Sequence, residues 1–218
     1  MHQEPAEAGR RQSVDGDQRR STLQRVIAFT DAAVAIALTL LALPLVDFAD
    51  QSSARQSVAD LVHQHLGDVL SFAVSFLVIA LFWRTHRQLY ERLVDYDEVL
   101  VVLNTIWIML VVFLPFPTAR LFVETRLRAD SAAFYVANML AISLLALAQT
   151  WWIGRRPQLR TSPGPETAPA LLPPVALSVV FAVATLAAVV SPIAGLLLIF
   201  LVPVVQFAAA RLGRSVGG

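Results

Sequence analysis

Several residue types that carry chemistry in soluble enzymes are absent from this 218-residue sequence or scarce in it. Cysteine is absent, which excludes disulfide bonds, thiolate metal sites and a cysteine nucleophile. Only 15% of the residues are charged, whereas soluble domains average about a quarter. The net charge is +1, so no nucleic acid or acidic substrate is expected as a partner. HExxH, GxSxG and phosphate-loop motifs are also missing, so the sequence does not favour an enzyme.

What the sequence does contain is long apolar runs, and 56% of its residues are hydrophobic. A membrane-spanning helix needs about 20 mostly apolar residues. The predicted spans are residues 26–46, 66–83, 99–116, 132–153, 171–190 and 193–210. The last two are divided at Ser191-Pro192, because a residue before proline is disfavoured in a helix. We therefore predict an all-α integral membrane fold with six transmembrane helices per subunit in residues 23–213. Residues 1–22 are expected to be disordered, and residues 214–218 form a tail.

The distribution of arginine predicts the orientation of these spans. Thirteen of the 17 basic residues fall on the side that carries both termini, and the other side has Arg55, Arg120, Arg126 and Arg128. Because short cytoplasmic loops carry an excess of Arg and Lys, we expect a multi-pass protein of the cell membrane with both termini in the cytoplasm.

Two ionisable residues open the first apolar run. Arg25 lies at the start of the predicted helix, where it can reach the headgroups, but Asp31 lies more than one turn inside. A separation of six residues places the two about 120° apart around the helix, so they are poor partners for each other. The candidate partners on the same side are Trp83, Arg84, His86 and Asn104. We predict an interhelical polar network between the start of the first span and the end of the second.

One stripe of the first span consists of Arg25, Phe29, Ala32, Ile36, Leu40 and Leu43, with Thr39 beside it. Packing in an apolar core is the commoner explanation for such a stripe, so the stripe alone does not assign a function.

Three stretches carry a resemblance to a known family. These are the arrangement R-x-x-x-F-[S/T]-D that leads into AIALTLLALPL, the stretch FWRTHRQLY, and the stretch LNTIWIMLVVFLPFPT. Over residues 25–118, the sequence resembles the transmembrane protein 175 family of potassium-permeable channels, in its short prokaryotic form. The last three spans match that family in hydropathy alone. The chain has Thr30 where the common form has serine, which keeps the hydroxyl and adds a methyl group.

The resemblance implies four identical subunits around a central pore that is lined by the first helix of each. It also implies that Ile36 forms a narrow apolar ring, with Leu40 and Leu43 as further rings and Thr39 hydroxyls nearby. The implied intracellular motif and its neighbours are Arg25, Phe29, Thr30, Asp31, Trp83, His86 and Asn104. The implied function is a potassium channel with modest selectivity for potassium over sodium. Its partners are potassium ions, the lipid bilayer and copies of the chain, and no cofactor or metal is expected.

The residues alone also leave other functions open. A secondary transporter predicts broken helices in both halves, but Pro173-Pro174 and Pro203 interrupt the second half alone. A proton pathway through Asp31 and His86 is a further alternative. His63 and His65, which we expect in a loop without a nearby acidic cluster, do not predict a metal site.

Overall fold

A computed structural model describes residues 4–50, 57–123, 126–161 and 169–215. Over these residues the chain forms ten α-helices and one antiparallel pair of two-residue strands, so the all-α prediction is confirmed. The elements are α1 (Glu4–Leu40), α2 (Leu43–Asp50), α3 (Val58–Gln64), α4 (Leu66–Tyr90), α5 (Glu98–Phe113), α6 (Pro115–Ala119), β1 (Phe122–Val123), β2 (Arg126–Leu127), α7 (Ala129–Gly154), α8 (Leu172–Val190), α9 (Pro192–Ile199) and α10 (Val202–Ser215).

Five helical segments of the described chain are long and apolar enough to cross a membrane. They are Arg20–Asp47, Leu66–Tyr90, Glu98–Ala119, Ala129–Gly154 and Leu172–Val190. The sixth predicted span, residues 193–210, differs from this pattern, because its apolar helix Pro192–Gln206 is shorter and includes the turn between α9 and α10.

Helix α1 begins well before the apolar run, at Glu4. The expected disorder of residues 1–22 therefore differs from the structure over residues 4–22, while residues 1–3 lie outside the described part. The physical reason is the abundance of Ala, Glu, Gln and Arg here, which have high helix propensity. At the other end of the chain, α10 reaches Ser215, and the last three residues of the predicted tail lie outside the described part.

The first predicted span, residues 26–46, contains a break that hydropathy did not reveal. Helix α1 ends at Leu40, a turn follows at Leu41 and Ala42, and α2 begins at Leu43. Pro44 explains the break, since it has no N–H for the carbonyl of Leu40 and its ring clashes with that carbonyl in a continuous helix. Leu43 therefore lies beyond the end of the helix that carries Ile36.

Proline also ends α5. Pro115 lacks an N–H, and the Leu114 N–H bonds to Val111 O at 3.1 Å, so the Leu110 carbonyl is left without its usual partner. The side chain of Asn138, on α7, fills this position by donating from Nδ2 to Leu110 O at 3.2 Å. The expected stop at Pro115–Pro117 is thus a helix break followed by the short α6.

The second predicted span was too short at its carboxyl end. Helix α4 continues past Trp83 to Tyr90, because the residues after Trp83 are mostly good helix formers. His86 and Arg87 therefore lie within α4, on its last two turns. Helix α5 starts at Glu98, where the carboxylate of Asp97 caps it by accepting a hydrogen bond from Leu100 N at 2.9 Å.

Helices α8 and α9 form a hairpin at the predicted break. Ser191 is extended, and its hydroxyl caps α9 by accepting from Ala194 N. Gly195 permits close contact here, since a Cβ atom at this position would lie 2.7 Å from Ala188 Cα and 2.8 Å from Ala184 O.

The main apolar core lies between α1, α4, α5, α7 and α8, and its fully buried members include Ala37, Ile79, Trp107, Met139 and Phe181. A smaller cluster lies at one end of the bundle and consists of Leu23, Tyr90, Leu93, Leu100, Ile153 and Leu159. The loops after α4 and α7 are joined at this same end by two backbone hydrogen bonds, from Val94 N to Leu159 O and from Thr161 N to Arg92 O, both at 2.9 Å. This end, which we call the arginine-rich end, holds the polar residues considered below.

Candidate functional site

Five side chains from three helices meet at the arginine-rich end, and we call them the polar cluster. Thr30 and Asp31 lie on α1, Trp83 and His86 on α4, and Asn104 on α5. These helices are separated in sequence, so the cluster exists only once they are packed together. It links the first three membrane-length helices of the chain by side-chain hydrogen bonds.

The buried half of the polar cluster is a chain of three hydrogen bonds. Asn104 Nδ2 donates to Thr30 Oγ1 at 3.0 Å, and the Thr30 hydroxyl donates to Val26 O at 2.9 Å. The Asn104 Oδ1 atom lies 2.8 Å from His86 Nε2. Because an amide oxygen only accepts, this contact assigns the proton of neutral His86 to Nε2. Thr30, His86 and Asn104 are all buried, so neither lipid nor water can supply their hydrogen-bond partners. The three side chains therefore depend on these bonds.

The His86 ring is held by stacking as well as by hydrogen bonding. Tyr90 stacks on the ring with centroids 4.2 Å apart, and Trp107 stacks at 4.2 Å too. Tyr90 is four residues after His86 on the same helix, which places the two rings on one face. The ring therefore has little room to turn away from Asn104.

Asp31 lies in the more open half of the polar cluster, where Trp83 Nε1 donates to Asp31 Oδ1 at 2.7 Å. Arg87 lies over the Trp83 ring at 5.5 Å and donates from Nε to Glu91 Oε1 at 2.8 Å. Its positive charge also interacts with the Asp31 carboxylate. The Asp31 carboxylate thus receives one direct hydrogen bond and lies within the electrostatic range of one cation.

Sequence reasoning missed four residues of this arrangement: Arg87, Tyr90, Glu91 and Trp107. A signal for two contacts was available, since Trp83, Arg87 and Glu91 follow one another at intervals of four residues and so share a helix face. The stacking of Trp107 on His86 had no such signal, because these residues lie on different helices.

Other expected members of the network lie outside the polar cluster. Arg25 and Arg84 are exposed, and Phe29 is 66% exposed. Among the described residues, no hydrogen bond or ion pair joins Arg25 to Asp31, as their angular separation on α1 predicts.

The predicted pore residues lie on a face of α1 that the rest of the chain leaves uncovered. Ile36 is 56% exposed and Leu40 is 38% exposed, while Val34 and Ala37 are buried on the other side of the helix. Thr39 is also exposed, and its hydroxyl donates to Ile36 O at 2.7 Å. Leu43 is exposed too, but it belongs to α2, after the break.

His63 and His65 lie in and directly after the short helix α3, so the loop expected for them is wrong. The His65 ring contacts the carboxylate of Asp68 at 3.3 Å. Across the described part of the chain, no three His, Cys, Asp or Glu side chains are grouped as a metal site would require.

Comparisons with known proteins bear on this arrangement. Residues 25–115 match the family model for the endosomal/lysosomal potassium channel TMEM175. A potassium channel of Streptomyces collinus is 33% identical over 132 residues, which are 59% of this chain and 62% of the relative. A potassium channel of Chamaesiphon minutus is 32% identical over 132 residues, which are 58% of this chain and 63% of the relative. The matched region is therefore less than two thirds of either relative.

A solved structure extends the likeness of fold over most of the chain. The crystal structure of a lysosomal potassium-selective channel TMEM175 homolog from Chamaesiphon minutus superposes with a TM-score of 0.61 and 22% sequence identity. The superposition covers 89% of this chain and 99% of the other. At this identity it establishes the fold.

Proposed function

Over residues 25–115 the chain belongs to the TMEM175 family, and from this premise we propose that it forms a potassium-permeable ion channel. In this proposal four copies surround a central pore, and α1 of each copy lines it. The curated relatives named above are potassium channels, which supports the choice of ion. Modest selectivity for potassium over sodium is part of the proposal.

The observation that carries the proposal is the uncovered face of α1. It presents Ile36 at 56% exposed and Leu40 at 38%, in a helix whose opposite face packs into the core of its own chain. One helix face does not enclose a conduit, so closure requires further copies related by rotation. Four-fold rotation places four Ile36 side chains in one ring.

A ring of isoleucine side chains gates by dewetting. When the ring is narrow, its apolar surface expels water, and a hydrated cation cannot pass until the ring widens. Thr39 lies three residues further along the same helix. Its hydroxyl proton is directed to the Ile36 carbonyl, so its oxygen is left as an acceptor, which is the group that a cation needs in place of lost water.

The break after Leu40 changes what we propose for Leu43. It lies on α2, after the turn that ends α1, so in this proposal Ile36 and Leu40 form the constriction and Leu43 lies at its outer edge. The polar cluster has a separate role at the other end of the pore helix. It ties Thr30 and Asp31 to α4 and α5, and it keeps the rotation of α1 about its axis constant, so that Ile36 faces the pore.

The sixth passage and the orientation belong to the same proposal. We assign the sixth passage to α9 and α10 together, because they follow α8 as a hairpin and add further apolar length after Ile199. The arginine distribution supports a location in the cell membrane with both termini in the cytoplasm.

The direct test is electrical. Purified protein in planar bilayers, with a potassium gradient at equal pH, is expected to give unitary currents that reverse near the potassium equilibrium potential. Ile36→Asn replaces the apolar ring by amides, which hold water in the constriction, and is expected to raise the conductance or leak. The control Leu77→Asn places the same amide on the exposed face of α4, and its currents should equal those of the wild type.

Three results would contradict the proposal. Transport without unitary steps would indicate a secondary transporter, and reversal at the proton equilibrium potential would indicate proton conduction. Unchanged currents in Ile36→Asn would remove Ile36 from the constriction. Light scattering of the detergent-solubilised complex tests the subunit number, with an expected protein mass of about four times 23.8 kDa.

A further inference from the structure

The last turn of α7 carries two tryptophan–arginine pairs that the proposed pore does not use. Arg155 lies over the Trp151 ring with its guanidinium carbon 4.2 Å from the ring centroid, and Arg156 lies over Trp152 at 4.6 Å. Each pair is spaced by four residues, so each arginine reaches the ring one turn below it. Stacking on a ring orders an arginine side chain that is otherwise flexible. Here it orders two arginines at adjacent positions of the chain.

Stacking leaves the hydrogen-bonding edge of each guanidinium free. The guanidinium carbon of each arginine lies over a ring, and a guanidinium that stacks on a ring keeps its in-plane N–H donors available. In the described ranges, neither Arg155 nor Arg156 has a carboxylate within ion-pair distance. Both arginines are exposed. Two exposed cations that have no ion-paired carboxylate in the described ranges therefore lie at adjacent positions of the chain.

The two rings are placed differently. Trp152 is tied to α5, since its Nε1 donates to Asp97 Oδ2 at 2.9 Å. Trp151 is 42% exposed and has no such partner among the described residues, so its face is turned out from the bundle. The apolar helix ends at Gly154, directly before the arginines. In a membrane this position is the headgroup layer, where tryptophan is enriched and arginine reaches phosphate.

We propose that Trp151, Arg155 and Arg156 form a binding site for the phosphate-bearing headgroup of an anionic phospholipid. Trp151 packs against the glycerol and upper acyl region, and the two guanidiniums donate to the phosphate oxygens. A guanidinium fork matches phosphate geometry, and the negative charge of the lipid complements two arginines that have no ion-paired carboxylate among the described residues. The site is independent of the pore proposal, because it requires neither four subunits nor ion conduction.

The test uses quenching of tryptophan fluorescence by brominated lipids, with the full-length protein in phosphatidylcholine vesicles. Brominated phosphatidylglycerol should quench more strongly than brominated phosphatidylcholine, because Trp151 lies beside the bound lipid. The relative association constant for the anionic lipid should fall by about five-fold for each arginine removed, in Arg155→Gln and in Arg156→Gln. High salt, at 1 M KCl, should weaken the wild-type preference.

Three comparisons make the result decisive. Arg120→Gln removes an exposed arginine at the opposite end of the bundle and should leave the preference unchanged. Arg155→Lys keeps the charge without the planar fork and should give an intermediate preference, which also covers the case in which Arg155→Gln fails to fold. The proposal is wrong if the wild type quenches equally with both lipids or if the glutamine variants keep the preference. It is also wrong if millimolar inorganic phosphate removes the preference, since the site would then take a soluble anion.

Discussion

Replacement of Asn104 by leucine is the sharpest test of the polar cluster, because this one side chain joins α4 to α1. Asn104 is 3% exposed, accepts from His86 at 2.8 Å and donates to Thr30 at 3.0 Å. Leucine has nearly the same volume and makes neither bond. The substitution therefore removes two interhelical hydrogen bonds while keeping the site filled.

The expected loss of stability in Asn104→Leu follows from the hydrogen bonds that Thr30 and His86 each lose. Side-chain hydrogen bonds between membrane helices contribute about 0.6 kcal/mol on average and up to about 1.7 kcal/mol. Thr30 keeps its bond to Val26 O, but His86 Nε2 is left buried without its acceptor, and an unpaired buried donor costs about 1–3 kcal/mol. We expect Asn104→Leu to lower the free energy of unfolding by about 2–3 kcal/mol, most of it from the histidine.

The double variant separates lost bonding from lost packing. In His86→Phe/Asn104→Leu both partners are apolar, and the new ring can stack between Tyr90 and Trp107 as His86 does. Removal of both partners avoids the unpaired donor, so the double variant should be more stable than Asn104→Leu by about 1 kcal/mol.

The assay is unfolding in mixed micelles by titration with SDS, followed by tryptophan fluorescence at a fixed protein concentration. The control is Thr105→Val, one residue away on the same helix, where the exposed hydroxyl bonds only to Val101 O of its own turn. This control should change stability by less than about 0.5 kcal/mol. The reasoning about the buried hydrogen bonds is refuted if Asn104→Leu is no more destabilised than Thr105→Val. It is also refuted if the loss of stability in the double variant equals the sum of the losses in the two single variants.

Two further predictions concern packing away from the polar cluster. Gly195→Ala should destabilise the protein by about 1–3 kcal/mol in the same assay, because its new methyl group would meet the backbone of Ala188, whereas Gly154→Ala, with open space around it, should cost almost nothing. Equal effects of the two would contradict the close approach of α8 and α9. Tyr135→Phe should cost about 0.6–1.7 kcal/mol, since the tyrosine hydroxyl contacts the buried Ser75 hydroxyl at 2.8 Å, and a change within error would show that this bond carries no stability.

The positions of the spans could be predicted because lipid offers no partner for a backbone amide. A chain that crosses a bilayer must therefore be helical wherever it is apolar for long enough. Five of the predicted runs coincide with membrane-length helices of the described chain. Helix ends were less accurate, as hydropathy reports depth and not hydrogen bonding. Helix α4 continues to Tyr90 through polar residues, and Pro44 divides a run whose hydropathy shows no break at that position.

Asp31 shows which part of the polar cluster could be predicted from residue types alone. Its depth in an apolar helix and its short side chain required a donor from another helix, and few donors were available. Chemistry alone did not choose among Trp83, Arg84 and His86. Packing of α1 against α4 made Trp83 the donor, gave His86 to Asn104, and left Arg84 exposed.

The buried hydroxyls of Ser75, Thr118 and Tyr135 had no sequence signal. Ser75 contacts Thr118 at 3.0 Å and Tyr135 at 2.8 Å, across 43 and 60 residues of chain. Each residue alone is unremarkable in an apolar helix, since a hydroxyl can bond to its own helix backbone.

By itself, the sequence determined that this protein is helical and apolar, where its spans lie, and which polar side chains need partners within them. These properties follow from local composition, because the cost of an unbonded amide or an isolated charge in lipid does not depend on the rest of the fold. The tertiary structure decided which partners they find, and which face of α1 remains uncovered. Those outcomes depend on the rotation and contact of whole helices, which are set by packing between residues far apart in the chain.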